Sequence, residues 1–244
     1  MASVSPLDNV RIVLCATSHP GNIGASARAL KTMGLASLYL VNPKILPDAD
    51  AHAMAAHAAD VLDAATVCAS LDEALHGTVF AAACTARSRH LSHPVLSARE
   101  TGVRLVQEAA RGPVALVFGP EKHGLTAQEV TRCSVIATIP TGAQYTSLNL
   151  AAAVQILAYE VQQASRSPGL VPERYPPATY EEIVLLFQHL EQTLYDIEFL
   201  DPKRPKRLMQ RLRRLFQRTR LEQEEVNVLR GILAAAQKKA QAKD

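Results

Sequence analysis

PVALVFGPEKHGL, residues 113–125, runs from an unbroken apolar stretch into a loop holding two glycines, a carboxylate, a lysine and a histidine. The stretch Val114 to Phe118 contains no polar residue. It predicts a strand covered on both faces, the kind found inside a parallel sheet. Gly119 and Gly124 let the backbone approach a ligand closely or take positive φ. Glu121 offers a carboxylate to a cationic group, a ligand amine or an arginine. His123 is a single loop histidine with no placed partner and is assigned no role.

Similar runs flank this one: VRIVLCAT (10–17), SLYLVNP (37–43), TVFAAACT (78–85) and VIATIPT (135–141), with a weaker ATVCAS at 65–70. Ala-rich helical segments lie between them, over about 22–33 (ending at Gly34, a natural cap), 48–63, 97–110 and 147–165. Strand and helix in alternation predict βαβ units and a parallel-sheet α/β domain over residues 1–165.

Two further strand-to-helix junctions hold chemistry. GNIGASARAL (21–30) opens a helix after the first strand, with Asn22 placed to cap it and Arg28 further along. It lacks the GK[ST] ending of a Walker loop and the third glycine of GxGxxG. A nucleotide-binding oxidoreductase or ligase is therefore disfavoured. YTSLNLAAAVQILAYE (145–160) starts a helix after the last strand. Thr146 or Ser147 is expected to cap it, leaving N–H groups for a ligand acceptor. Asn149 offers a donor and an acceptor together, suited to a ribose or a base edge.

Beyond residue 165 the pattern changes. Residues 166–178 form a Pro-rich linker, where fixed φ and missing donors exclude helix or central strand. Residues 179–244 predict three amphipathic helices in a small all-α unit. The first opens at a Thr179–Glu182 capping box and carries Ile183, Leu186, Phe187, Leu190, Leu194 and Ile197. The second sets Leu208, Leu212 and Leu215 on one face and Arg207, Arg211, Arg214 and Arg218 on another. The third uses Val226, Leu229 and Leu233.

The net charge of +3 conceals this division. Residues 1–165 hold 11 basic and 12 acidic side chains, whereas 166–244 hold 15 and 11. Within 201–220, nine basic side chains accompany a single acid, a density that attracts polyanions. The absence of an eighteen-residue apolar run leads us to expect no membrane span, and the N-terminal residues do not read as a signal peptide. The four cysteines stand apart, with no CxxC pair and no metal-binding spacing. Buried free thiols and a reducing, cytoplasmic setting are expected.

Taken together, the three junctions resemble the SPOUT class of methyltransferases, and within it the SpoU/TrmH-type RNA ribose 2′-O-methyltransferases. Asn22 and Arg28 match the first motif of that family. Phe118, Gly119, Glu121, Gly124 and Leu125 match the second, and Ser147, Leu148, Asn149 and Ala153 the third. The stretch from FLDPKRP onward resembles the C-terminal extension of the tRNA cytidine/uridine-specific members. The resemblance implies a SPOUT domain with a C-terminal trefoil knot, a homodimer, and S-adenosylmethionine held by Cys84, Thr85, Ala86, Gly119, Ile139, Thr146, Ser147 and Leu148. It implies catalytic roles for Arg28, Asn22, Glu121, Ser147 and Asn149, with Arg28 reaching the other subunit's cofactor site. The partner implied is tRNA, bound through Arg207, Arg211, Arg214 and Arg218, with nucleotide 32 of the anticodon loop as target. No metal is required.

Methyl transfer to a ribose hydroxyl is an in-line displacement that needs alignment and loss of a proton. A guanidinium, with a pKa above about 12, is not a base. Arg28 is expected to clamp a phosphate and stabilise alkoxide charge, while a phosphate oxygen or water takes the proton. Asn22, Glu121 and Asn149 would orient Arg28 and the ribose. Two alternatives remain open at this point: a non-catalytic dimeric RNA-binding protein, and a 2′-O-methyltransferase acting on another structured RNA site.

Overall fold

A computed structural model describes residues 5–86, 93–166, 176–201 and 207–241, with the backbone alone at 217 and 218. The chain divides into two compact units, Met1–Pro172 and Glu173–Asp244.

The first unit is built on seven strands: β1 (Val10–Cys15), β2 (Ser37–Val41), β3 (Thr66–Cys68), β4 (Phe80–Cys84), β5 (Val95–Ser97), β6 (Val114–Phe118) and β7 (Val135–Thr138). They form one sheet in the order β3-β2-β1-β6-β4-β7-β5, and every pairing is parallel. The stretch 114–118 is β6, at the centre, with all five residues buried. Its neighbours β1 and β4 are nearly as enclosed, which is why these three strands show continuous rather than alternating apolarity. Strand β5 escaped the sequence pattern. It has three residues at the sheet edge, its Val95 is exposed, and no apolar run marks it.

The helices of this unit are α1 (Pro20–Thr32), α2 (Ala49–Ala55), α3 (Ala59–Asp63), α4 (Leu71–Leu75), α5 (Ala98–Ala109), α6 (Ala127–Val130) and α7 (Leu150–Ser165). The single helix expected over 48–63 is broken by Ala56, at φ 49°, into two helices joined by a 3₁₀ turn. Helix α1 begins two residues before Asn22, so Asn22 lies inside the first turn and does not cap it. Gly34 follows α1 at φ 72°, the left-handed position that favours glycine. Gly24 is there for packing: a Cβ would strike the backbone carbonyl of Ala51, so α1 and α2 touch where glycine permits it. The same holds between α5 and α7, where Gly102 sits on the backbone of Glu160. The glycines of GNIGASARAL are thus partly packing residues and not a phosphate cradle.

The second unit contains α8 (Tyr180–Asp196), α9 (Leu208–Thr219) and α10 (Gln223–Gln241). The Thr179–Glu182 capping box is formed. Its core is small: Ala178, Leu186, Leu221 and Val226 are buried, with Ile183, Phe216, Leu229 and Leu233 packed against them. Leu215, expected inside, is 47% exposed, and Ile197 also faces water. Phe216 takes the interior place, meeting Phe187 edge to face at 6.0 Å between centroids. A bulkier aromatic one position along the helix buries more apolar area. No described helix of either unit is long and apolar enough to cross a membrane.

Candidate active site

Parallel strands all point their carboxyl ends the same way, and ligands of such sheets bind beyond those ends. Here the ends of β4, β6 and β7, adjacent in the sheet, surround a cavity of about 390 Å³. Cys84, Thr85 and Ala86 line it after β4. Phe118, Gly119, Pro120, Glu121, Lys122 and Gly124 do so after β6, and Ile139 after β7. Thr146, Ser147 and Leu148 approach α7, whose Leu150 and Ala153 complete the wall. All eight residues expected to hold a cofactor therefore border one space, although they come from segments up to 64 residues apart. Gly119 is obligatory there: a Cβ would collide with the backbone of Gly124 and Leu125, where the loop folds back on itself.

A directional chain of hydrogen bonds runs along the rim. Glu121 Oε2 accepts from the backbone N–H of Ser18 at 3.2 Å and from Ser18 Oγ at 3.0 Å. Glu121 Oε1 accepts from Asn22 Nδ2 at 2.9 Å. Asn22 Oδ1 in turn accepts from Asn149 Nδ2 at 2.9 Å. Asn149 Oδ1 accepts from the N–H groups of Ala151 and Ala152 at 2.9 and 3.3 Å, capping α7. An ionised carboxylate only accepts and a helix N-terminus only donates, so both amides are fixed in orientation. Thr146 and Ser147 were expected to be this cap. Asn149 takes the role because the helix starts three residues later than its pattern suggested.

Burial works against the charge on Glu121, but the bonds from Asn22, from the backbone and from Ser18 prevail and hold its carboxyl below the ordinary range. It is an anion at neutral pH. Cys84 is the opposite case: burial alone pushes its thiol up to about 12, so it meets a ligand as a neutral, weakly polar wall.

Arg28 is not in this chain. It is exposed, and among the described residues its guanidinium has no partner. Six residues separate it from Asn22 on α1, which turns it roughly 120° away around the helix. Within one protomer Asn22, Glu121 and Asn149 therefore bond to one another and not to Arg28. Ser18 was missed by sequence reasoning. A serine beyond β1 gives no signal by itself, and its carboxylate partner is 103 residues away. Lys122, exposed on the rim, was also passed over.

A second cleft of about 280 Å³ opens at the ends of β1 and β2, where a Rossmann-type phosphate would sit. Asp72 and Glu129 line it, and its Arg132 is already paired with Asp72 at 2.5 Å. That balance does not suit a pyrophosphate. Among the described residues no three His, Cys, Asp or Glu side chains are grouped to hold a metal ion.

Of the basic residues expected to bind RNA, Arg207 and Arg211 are exposed at the start of α9. Arg214 is half-buried, its Nε without a hydrogen-bond partner, while Arg213 stacks over Phe187 at 4.7 Å. The side chain of Arg218 lies outside the described residues.

The pattern has close counterparts among known proteins. Residues 9–159 match the model of the SpoU rRNA methylase family, and 181–244 that of the tRNA methyltransferase TrmJ C-terminal domain. The chain belongs to the SpoU methylase family. Within it the likeness is to TrmJ. A tRNA (cytidine/uridine-2′-O-)-methyltransferase TrmJ of Pectobacterium atrosepticum is 51% identical over 236 residues, covering 95% of this chain and 98% of that one. The crystal structure of TrmJ from Z. mobilis superposes with a TM-score of 0.80 at 32% identity, covering 92% and 97% of the two chains. A structure from work on 2′-OH methylation of C/U34 on tRNA is 27% identical, with a TM-score of 0.51, covering 65% of this chain and 97% of its own. The family's SPOUT-type α/β fold is the one the strand order displays.

Proposed function

We propose that this chain transfers a methyl group from S-adenosylmethionine to the ribose 2′-hydroxyl of cytidine or uridine 32 in the tRNA anticodon loop, acting as a cytoplasmic homodimer. The observation that carries the reading is the fixed Ser18–Glu121–Asn22–Asn149 chain beside a cavity at three adjacent strand ends. Near-complete coverage by TrmJ proteins supports it. Nucleotide 32 is preferred over 34 because the structure connected with position 34 is itself covered almost fully by 65% of this chain. About a third of this chain has no counterpart there.

The cavity suits the cofactor. Its volume lies within the range of small-molecule sites. Phe118, Ile139, Leu148 and Leu150 offer apolar surface, and Gly119 admits a ligand against bare backbone. When bound, S-adenosylmethionine supplies an electrophilic methyl on a sulfonium. The protein's own residues position the acceptor. Asn22 and Asn149 hold the rim geometry, and the Glu121 carboxylate keeps both amides from turning. Arg28, turned from its own cavity, serves the partner's: it clamps a phosphate and stabilises the oxyanion while a phosphate oxygen or water accepts the proton. The homodimer is part of the same reading, in which the arginine at each cavity comes from the partner subunit. The reading includes the trefoil knot implied by the resemblance. Its support is the sheet order, in which β4 lies between β6 and β7, two strands that follow it in the chain.

Mass-spectrometric mapping of tRNA from cells with and without the protein tests the assignment. Loss of ribose methylation at nucleotide 32 is expected. Loss at 34 would transfer the target, and an unchanged map would overturn the reading.

A further inference from the structure

The loop between β7 and α7 is exposed at every residue from 140 to 149, and its one aromatic side chain is Tyr145. Tyr145 is 81% exposed, more than any other large apolar side chain among the described residues. Only 5% of the sequence is aromatic, and Phe80 and Phe118 of the same unit are buried. An exposed aromatic ring next in sequence to cavity-lining residues offers a planar apolar face to a ligand.

Its place is held, not incidental. Tyr145 N–H donates to Gly142 O at 3.3 Å, closing a turn, and Thr141 Oγ1 donates to Thr146 O at 3.5 Å across the base of that turn. The next three residues, Thr146, Ser147 and Leu148, line the cavity, and Asn149 begins the amide chain on its rim. Within five consecutive residues the loop thus presents an aromatic face, a cofactor wall and a ribose-facing amide. Lys122, next to Glu121, also lines the cavity and is exposed, available to meet a phosphate. Base, ribose and phosphate each have a chemically matched group.

We propose that Tyr145 is the platform on which the base of the target nucleotide stacks once it is splayed from the anticodon loop. Proteins that act on single-stranded RNA hold unstacked bases against aromatic rings. A ring reads cytosine and uracil alike, because both present a π face. Stacking accordingly accounts for a site that accepts either pyrimidine without a hydrogen-bond code at the base edge. The inference rests on the proposed tRNA activity.

Three variants test it in the full-length protein. Tyr145→Ala should raise KM for tRNA roughly five- to hundredfold, the span found when stacking aromatics are truncated, with S-adenosylmethionine affinity unchanged. Tyr145→Phe, which keeps the ring and loses the hydroxyl, should restore KM to near wild type. The chain contains no tryptophan, so Tyr145→Trp adds a unique fluorophore. Its emission should be that of a solvated indole in the free protein. Substrate tRNA should quench it, and tRNA carrying an abasic nucleotide at the methylated position should not. An unchanged KM in Tyr145→Ala, a Phe variant as poor as Ala, or equal quenching by the abasic tRNA would each overturn the proposal. So would indole emission already blue-shifted before RNA is added, which would place the ring in a protein interface. If wild-type protein methylates no tRNA, the activity assignment fails and not this inference; the quenching experiment still decides whether the ring meets a base.

Discussion

The rim of the cavity and the basic helix α9, which on the proposed reading serve one substrate, are built by opposite means. At the rim, the side-chain polar atoms of Glu121, Asn22 and Asn149 all have assigned partners, and the three residues follow β6, lie in α1 and cap α7. At the start of α9, Arg207 and Arg211 stand in solvent, in a unit with a small core. Aligning an in-line displacement tolerates little error, since a misplacement of about 1 Å costs on the order of a hundredfold in rate. Attracting a phosphate backbone tolerates a great deal, because the charge acts across several ångströms. The difference teaches that precision is concentrated where a bond is made.

Gly119→Ala should break the contrast most severely. The new methyl collides with the loop backbone at Leu125, and a strain of about 3 kcal/mol is expected. Calorimetric titration should show S-adenosylmethionine binding lost, and thermal unfolding should show a lower Tm. Binding like wild type would mean that the loop is soft and the rim not rigid after all.

Arg28→Lys should lower turnover on the order of a hundredfold or more, as the loss of a charge-stabilising donor does, while cofactor binding and Tm hold. Dimers mixed from Arg28→Lys and a cavity-filling Ala153→Phe should regain activity, because one cavity is then intact beside an intact arginine from its partner. No recovery on mixing would place Arg28 in its own protomer's site.

Glu121→Gln removes the one group that dictates both amide orientations. Turnover should drop about tenfold, and stability by about 1 kcal/mol, the rim being partly solvated. The sign of the pH dependence follows from the lowered carboxyl. Its contribution is complete above the ordinary carboxylate range and disappears as pH falls through the lower folded-state value. Denaturant curves for wild type and variant should therefore differ at neutral pH and converge in acid. A constant gap would show that charge on Glu121 is not what holds the chain together.

Arg207→Ala and Arg211→Ala should give the smallest effects. Each should weaken tRNA binding a few-fold and reduce the slope of log K against log salt by about one, with single-turnover rates at saturating tRNA unchanged. A change in rate instead would bring α9 into the chemistry and erase the contrast.

Much of the first unit was legible because burial on two faces leaves a plain mark. Five of its seven strands appear as apolar runs, and β3 as a weaker one. Strand β5 was not, being short and paired on one side only. The residues bordering the cavity were found through motifs at strand ends. Ser18 was not, because it meets Glu121 across 103 residues, a contact no local pattern encodes.

The sequence alone determined the alternation of strands and helices, the capping box at Thr179, the charge division between the two parts and the family, since all of these reside in residue order and local periodicity. Tertiary structure decided which strand ends become neighbours, and so which loops share a cavity. It also turned Arg28 away from the amide chain that Asn22 joins, and put Phe216 inside where Leu215 was expected. Those outcomes depend on sheet order and helix rotation, and these are settled when the whole core packs at once and not by any one segment.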